Sequence, residues 1–403
     1  MPAPTIPPCA RFTPAPPTTE KLDWAPLPVI DFSEAATPEG LARIAPQVCS
    51  AMRTYGFLYI VNHGYTNVQN QRIFDIADAM FTKVPDDEKK RLVADFEMTG
   101  SYRGYKARQT WDISNGVRDQ IEQYNLHRAV TDPELQEHPR AMEPFLPELR
   151  AFTEHNHYNV MHPLLRVLAQ GMELPDETFV RLHNFDGPAD TSGTFSPLSQ
   201  CDAPVDDTLH SPRDEIVRYE NRMIFAHHSL VMLGSYPRSA EEETQTNNVW
   251  MKGHTDIGTI TILWSQPVAG LQILCPDGKW RWVRHIDNAL TVNIGDGMEF
   301  LSGGYYKATI HRVRQPPVDQ AGYARLGVFY FGMADDDVLL RPRMESPILQ
   351  RVGVAPRFDF AHAPTMKQYR TGLTSAYGVS KLSKRDDGHE EEVIHGVVVK
   401  HFN

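Results

Sequence analysis

Six short β-rich runs, at 259–264, 270–274, 280–283, 290–294, 308–311 and 326–331, follow one another with turn residues between them. Each run is short, and the runs follow one another closely with frequent turns. Short strands at this spacing favour a β-sandwich or closed barrel.

The preceding part of the chain is mixed. Residues 27–32 read as a short strand. Leu41, Ile44, Val48 and Met52 recur at helical spacing and predict an amphipathic helix over 41–55. Residues 56–61 read as a strand ended by the turn Asn62-His63-Gly64, and 68–81 as a second helix. Asp86, Asp87 and Glu88 after Pro85 mark a helix start. Residues 140–182 are dense in Leu, Met and His and read as helix. His155 and His157 would point about 200° apart there, which argues for structural roles rather than a shared ion.

The resulting division is a proline-rich arm over 1–25, a helical and strand region over 26–186, and an insertion or lid loop over 187–220. A strand-rich core over 221–345 follows, then a C-terminal segment over 346–403 whose last 25 residues read as a charged tail. The apolar fraction of 41% and charged fraction of 23% are ordinary globular values. A net charge of −11 disfavours nucleic acid as a partner. No run is long enough for a membrane span, and the N-terminus does not read as a signal peptide. Cys9, Cys49, Cys201 and Cys275 show no metal-ligand spacing and are expected as free thiols in a cytosolic protein.

Three side chains then stand out. His254 and Asp256 are two apart, so on an extended segment they share a face, and His311 lies on a later run that can supply a third ligand. Two imidazoles and one carboxylate leave open positions on an iron(II) ion that activates O₂. Zinc accepts the same donors, although no general base stands beside them. A second His-x-Asp, His285 to Asp287, follows an alternating run and ends in turn residues, so it reads as structural. Lys252-Gly253-His254-Thr255-Asp256-Ile257-Gly258 instead sits between glycines, at what reads as the start of a strong strand. Arg325 heads an otherwise apolar run and requires an anion, either an internal carboxylate or a dicarboxylate held bidentately.

At this point the chain resembles the isopenicillin N synthase-like family of Fe(II)/2-oxoglutarate dioxygenases over most of 27–345. The likeness rests on Leu27-Pro28-Val29-Ile30-Asp31, on 56–64, on Phe81 with Pro85 to Lys89, and on Tyr236-Pro237 ahead of Gly253-His254-Thr255-Asp256. It continues through Asn293-Ile294-Gly295-Asp296, the segment Ser302 to Val313, and Arg325.

The resemblance implies a mixed α/β chain with a double-stranded β-helix (jelly-roll) core flanked by helices. It implies Fe(II) on His254, Asp256 and His311, with 2-oxoglutarate and O₂ as co-substrates. Arg325 would bind the distal carboxylate of 2-oxoglutarate with Tyr236 as helper, while Asn62 and His63 would form a structural turn. Hydroxylation, desaturation or oxidative rearrangement of a small organic molecule is the expected reaction, and the likeness to fungal members points to a secondary metabolite. Departures are Gly327 where the family has serine, Gly234 where it often has asparagine, and a longer gap between His311 and Arg325. Gly327 keeps open an iron oxidase that needs no 2-oxoglutarate, and a non-catalytic binding relative is the reading from another class. Tyr102, Tyr105, Tyr124 and Phe331 are candidate substrate-facing residues.

Overall fold

The computed structural model describes residues 6–94, 103–127, 136–185, 228–354 and 362–376, together with strand residues 383–384, 390–394 and 397–401. The 187–220 insertion, Tyr102 and Cys201 lie outside them.

Helix α1 spans Pro38–Thr54. Thr37 Oγ1 accepts from the Gly40 amide at 3.1 Å and Pro38 occupies the first turn, which fixes where the helix begins. It buries Leu41, Ile44, Val48 and Met52, the stripe that the spacing marks. Helix α2, Asn67–Thr82, starts in a reciprocal cap between Thr66 and Gln69. Helix α3 is Asp86–Arg91, acidic in its first turn and basic in its last. Helix α4, Leu146–Glu154, runs through a π-helical segment, His155–Met161, into α5, His162–Gly171. The single helix expected over 140–182 is therefore interrupted in phase and ends early, at Glu173 with φ of 56°.

Strands β1 (Val29–Asp31), β2 (Phe57–Val61), β3 (Gly104–Lys106), the small hairpin β4 (Asp112–Ser114) and β5 (Val117–Arg118), and β6 (Ile121–His127) come first. Then follow β7 (His228–Ser235), β8 (Val249–His254), β9 (Ile260–Trp264), β10 (Leu271–Leu274), β11 (Trp280–Trp282), β12 (Leu290–Ile294), β13 (His311–Arg314) and β14 (Arg325–Gly332). One sheet has the order β1-β2-β12-β9-β14-β7-β6-β3 and the other β11-β10-β13-β8. The two face each other as a jelly roll. Helices α1, α2, α4 and α5 cover the outer face of the larger sheet, where Leu58, Ile60, Tyr124, Leu126, Ile262, Val292 and Tyr330 join the main core.

Several expectations change. His254 ends β8 rather than starting a strand, and His311 begins β13 rather than closing one. The C-terminal residues expected as a tail include three antiparallel strands, β15 (Ser383–Lys384), β16 (Glu390–Ile394) and β17 (Val397–His401), with β17 beside β8. No helix among the described residues is long and apolar enough to cross a membrane. Cys9, Cys49 and Cys275 are free thiols.

Candidate active site

His254 and His311 are directly opposite each other on antiparallel β8 and β13, with ring centroids 4.4 Å apart. Each Nδ1 faces a backbone carbonyl two residues back, Lys252 at 2.8 Å and Thr309 at 3.1 Å. A carbonyl can only accept, so Nδ1 carries the proton and Nε2 presents its lone pair inward. Both Nε2 atoms approach Asp256 Oδ1, at 3.8 Å and 3.5 Å. The other carboxylate oxygen, Oδ2, accepts from Thr261 Oγ1 at 2.6 Å and Asn293 Nδ2 at 2.7 Å.

Burial would raise the Asp256 carboxyl, but the His311 and His254 imidazoles and the Asn293 amide outweigh it, and the group is held well below the usual carboxylate range. Burial would likewise lower His311, and Asp256 overrides it upward.

The loop that carries Asp256 is clasped by the start of the helix Asp296–Leu301. The Asp296 amide donates to the Asp256 carbonyl at 2.7 Å, and the Gly297 amide to the Gly258 carbonyl at 2.9 Å. A Cβ on Gly295 would lie 2.3 Å from the Gly258 carbonyl oxygen, so only glycine permits this approach. Among the described residues, His254, Asp256 and His311 form the one group of His, Cys, Asp and Glu able to hold an ion, with donor atoms within 4.8 Å of one another. The donor set fits a divalent metal: three inward lone pairs, each side chain fixed from behind.

Arg325 opens β14 and is 4% exposed. No carboxylate among the described residues pairs with it, and its buried Nε has no hydrogen-bond partner. Burial pulls it down to about 10, still charged at neutral pH. Its Cδ would lie 3.2 Å from a Cβ on Gly270, so that glycine makes room for it. Arg325, His254, Asp256 and His311 line one cavity of about 250 Å³, with Phe57, Leu233, Met251, Phe329 and Phe331 among its apolar walls.

Tyr236 is not brought there. Its hydroxyl donates to Glu122 Oε2 at 3.2 Å and its ring lies under Arg108, on the outer face of the larger sheet. The alternation of β6 explains this: Glu122 faces outward while Gln123 faces in. Tyr105 also donates outward, to Glu122 Oε1 at 2.7 Å, and Tyr124 is fully buried in the core, paired with His138. Phe331 does line the cavity, as do Gln123 and Asn125, which sequence reasoning missed. Their alternation with Tyr124 and Leu126 is the signal that was available. His285 bonds Ser265 and Asp287, and His63 Nε2 donates to the Asn288 carbonyl at 2.9 Å, so neither joins His254, Asp256 and His311.

Residues 27–148 match the family model described as the N-terminal region of non-haem dioxygenases in morphine synthesis, and residues 219–331 match the 2OG-Fe(II) oxygenase superfamily. The chain belongs to the 2OG-Fe(II) oxygenase superfamily. This oxygenase is similar to the 2-oxoglutarate-Fe(II) type oxidoreductase hxnY of Emericella nidulans, with 24% identity over 89% of this chain and 93% of the relative. It is also similar to the 2-oxoglutarate-dependent dioxygenase tropC of Talaromyces stipitatus, with 24% identity over 71% and 81% of the two chains. Its fold matches a full-length Neurospora crassa protein solved in complex with alpha-KG and 5-formyluracil, at a TM-score of 0.65 and 19% identity over 89% of this chain and all of that one.

It is thus an oxidoreductase, a 2-oxoglutarate-dependent dioxygenase using Fe(II), 2-oxoglutarate and O₂. An oxidase independent of 2-oxoglutarate is not favoured by these relatives.

Proposed function

We propose that His254, Asp256 and His311 hold the Fe(II) of this oxygenase and that Arg325 takes the distal carboxylate of 2-oxoglutarate, for oxidation of a small, largely apolar molecule. The observation that carries this reading is the buried guanidinium, which pairs with no carboxylate among the described residues and opens into the cavity that His254, Asp256 and His311 share. A buried cation of this kind calls for a bound anion.

When bound, iron with 2-oxoglutarate and O₂ supplies an oxidant able to take hydrogen from unactivated carbon, with succinate and CO₂ as by-products. The chain's own residues do the positioning. The two carbonyl-anchored imidazoles hold their tautomer, Thr261 and Asn293 hold the Asp256 carboxylate in place, and the apolar walls exclude water from the reacting centre. Which carbon those walls present decides between hydroxylation, desaturation and rearrangement.

A cavity of about 250 Å³ lies below the roughly 300–1,000 Å³ of pockets for drug-sized ligands, which favours a small metabolite. The 5-formyluracil in the Neurospora crassa structure is a guest of that scale. Neither nucleic acid nor membrane enters this reading, and the free thiols favour a cytosolic setting.

Anaerobic addition of Fe(II) and 2-oxoglutarate should give a weak visible charge-transfer band, and air should then yield succinate. Arg325→Ala should raise the 2-oxoglutarate concentration needed by about a hundredfold, with iron content unchanged. No band and no succinate, or an unchanged requirement in the variant, would refute the assignment.

A further inference from the structure

We infer that the substrate is a neutral, ring-sized molecule with a hydrogen-bonding heteroatom, and that the carboxamide of Gln123 reads that atom. The inference rests on the site reading above and specifies what the remaining cavity accepts.

Gln123 lies on the inner face of β6, between Ile121 and Asn125 on the same face, and its side chain lines the cavity. It is 7% exposed, yet no described residue hydrogen-bonds its amide. A buried amide brings one acceptor and two donors, and native structures rarely leave them unused. Several of the other polar groups in the cavity are engaged by the protein. Thr261 and Asn293 serve Asp256, and Asp296 accepts from Tyr369. Gln123 is completed when a guest supplies the partner.

Position separates this amide from the co-substrate. Gln123, Leu233 and Gly327 form one rung across β6, β7 and β14, so Gln123 stands roughly 10 Å across the sheet from β14. Arg325 leans the other way, against Gly270 ahead of β10. The hairpin β4–β5, which leads into β6, packs instead on β8.

The neighbouring walls are flat and apolar. Phe329 and Phe331 stack along β14 with centroids 5.9 Å apart and planes 13° apart. Trp111 enters from the loop before β4, its amide donating to Asp119 Oδ1 at 2.6 Å and its ring 3.9 Å from Lys106 Nζ. Lys106 is itself paired with Asp119 in full burial, so this wall is rigid. Arg325 is the one cationic side chain among the cavity-lining residues, and both carboxylates are committed, which leaves a neutral guest as the match.

The test uses the full chain with Fe(II) and 2-oxoglutarate under anaerobic conditions, with equilibrium dialysis of 2-quinolone and naphthalene. These probes share a shape and differ in one polar edge. Wild type should hold 2-quinolone about tenfold more tightly than naphthalene, the ratio expected of one buried hydrogen bond. Gln123→Leu should bring the ratio close to one while keeping naphthalene binding and the charge-transfer band. Equal binding by wild type, a ratio that survives in Gln123→Leu, or failure of both probes to bind while the band forms would each overturn the inference. A wild type that gives no band fails at the iron site instead, and the inference falls with that reading.

Discussion

Tyr369 donates its hydroxyl to Asp296 Oδ2 at 2.6 Å, while the backbone amide of that aspartate holds the Asp256 carbonyl at 2.7 Å. The helix Met366–Ala376, whose Leu373 lines the cavity, is thereby tied to the loop that carries a proposed metal ligand. Tyr369→Phe removes this donor to a buried carboxylate. The expected loss is about 1–3 kcal/mol in stability, read from urea midpoints, with a smaller weakening of metal binding. A variant as stable as wild type would show that the contact carries no energy.

Thr261 acts on the side chain of Asp256 itself, donating its hydroxyl to Oδ2 at 2.6 Å. Thr261→Val keeps the shape and deletes the hydroxyl, freeing Asp256 to rotate. Affinity for Fe(II), or for Co(II) as a spectroscopic substitute, should fall by about 10–100-fold with the fold intact by circular dichroism. Affinity unchanged within about twofold would show that Asn293 alone fixes the carboxylate.

His155 packs against Tyr65 and Trp264 beneath the larger sheet. Burial, aided by the nearby His63, pushes its imidazole down to about 4 from an ordinary 6.5. Because the folded value is depressed, the unfolded chain takes up the proton first. The full stabilisation is therefore present above about pH 6.5 and is lost as pH falls towards 4, by about 3 kcal/mol at most. Urea midpoints measured across that window should fall for wild type and fall less for His155→Gln. Parallel curves would exclude His155 as the source.

Gly327 stands where the resembling family has serine, and the reason lies two residues on. A Cβ at 327 would sit 2.6 Å from the Phe329 ring, which fills that space on the inner face. Gly327→Ser should destabilise by about 1–3 kcal/mol. Adding Phe329→Ala should relieve part of this, with a coupling of about 0.5–3 kcal/mol in the double-mutant cycle. Additive effects would mean that the ring moves freely.

The apolar runs at 259–264, 290–294 and 326–331 were legible as strands because both of their faces are buried, so nearly every residue is apolar or β-branched. The strand β6 was not legible. Ile121-Glu122-Gln123-Tyr124-Asn125-Leu126-His127 carries polar residues on both faces, one set engaged with Lys89, Tyr105 and Tyr236 and the other lining the cavity. For the same reason Tyr105, Tyr124 and Tyr236 could not be assigned to a face in advance. A shift of register by one residue reverses every side chain, and only the neighbouring strands fix the register.

The order of residues along the chain marked a strand-rich sandwich or barrel, and motif resemblance narrowed it to a jelly roll and singled out His254, Asp256, His311 and Arg325 as candidates, since donor chemistry and strand pattern are local properties. Tertiary structure decided the rest: that His254 meets His311 across β8 and β13, that Arg325 meets no carboxylate among the described residues, and that Gln123 faces inward while Tyr236 faces out. Those facts depend on which strands pair and in what register, and that pairing is a balance of burial summed over the whole sheet rather than a preference carried by any one segment.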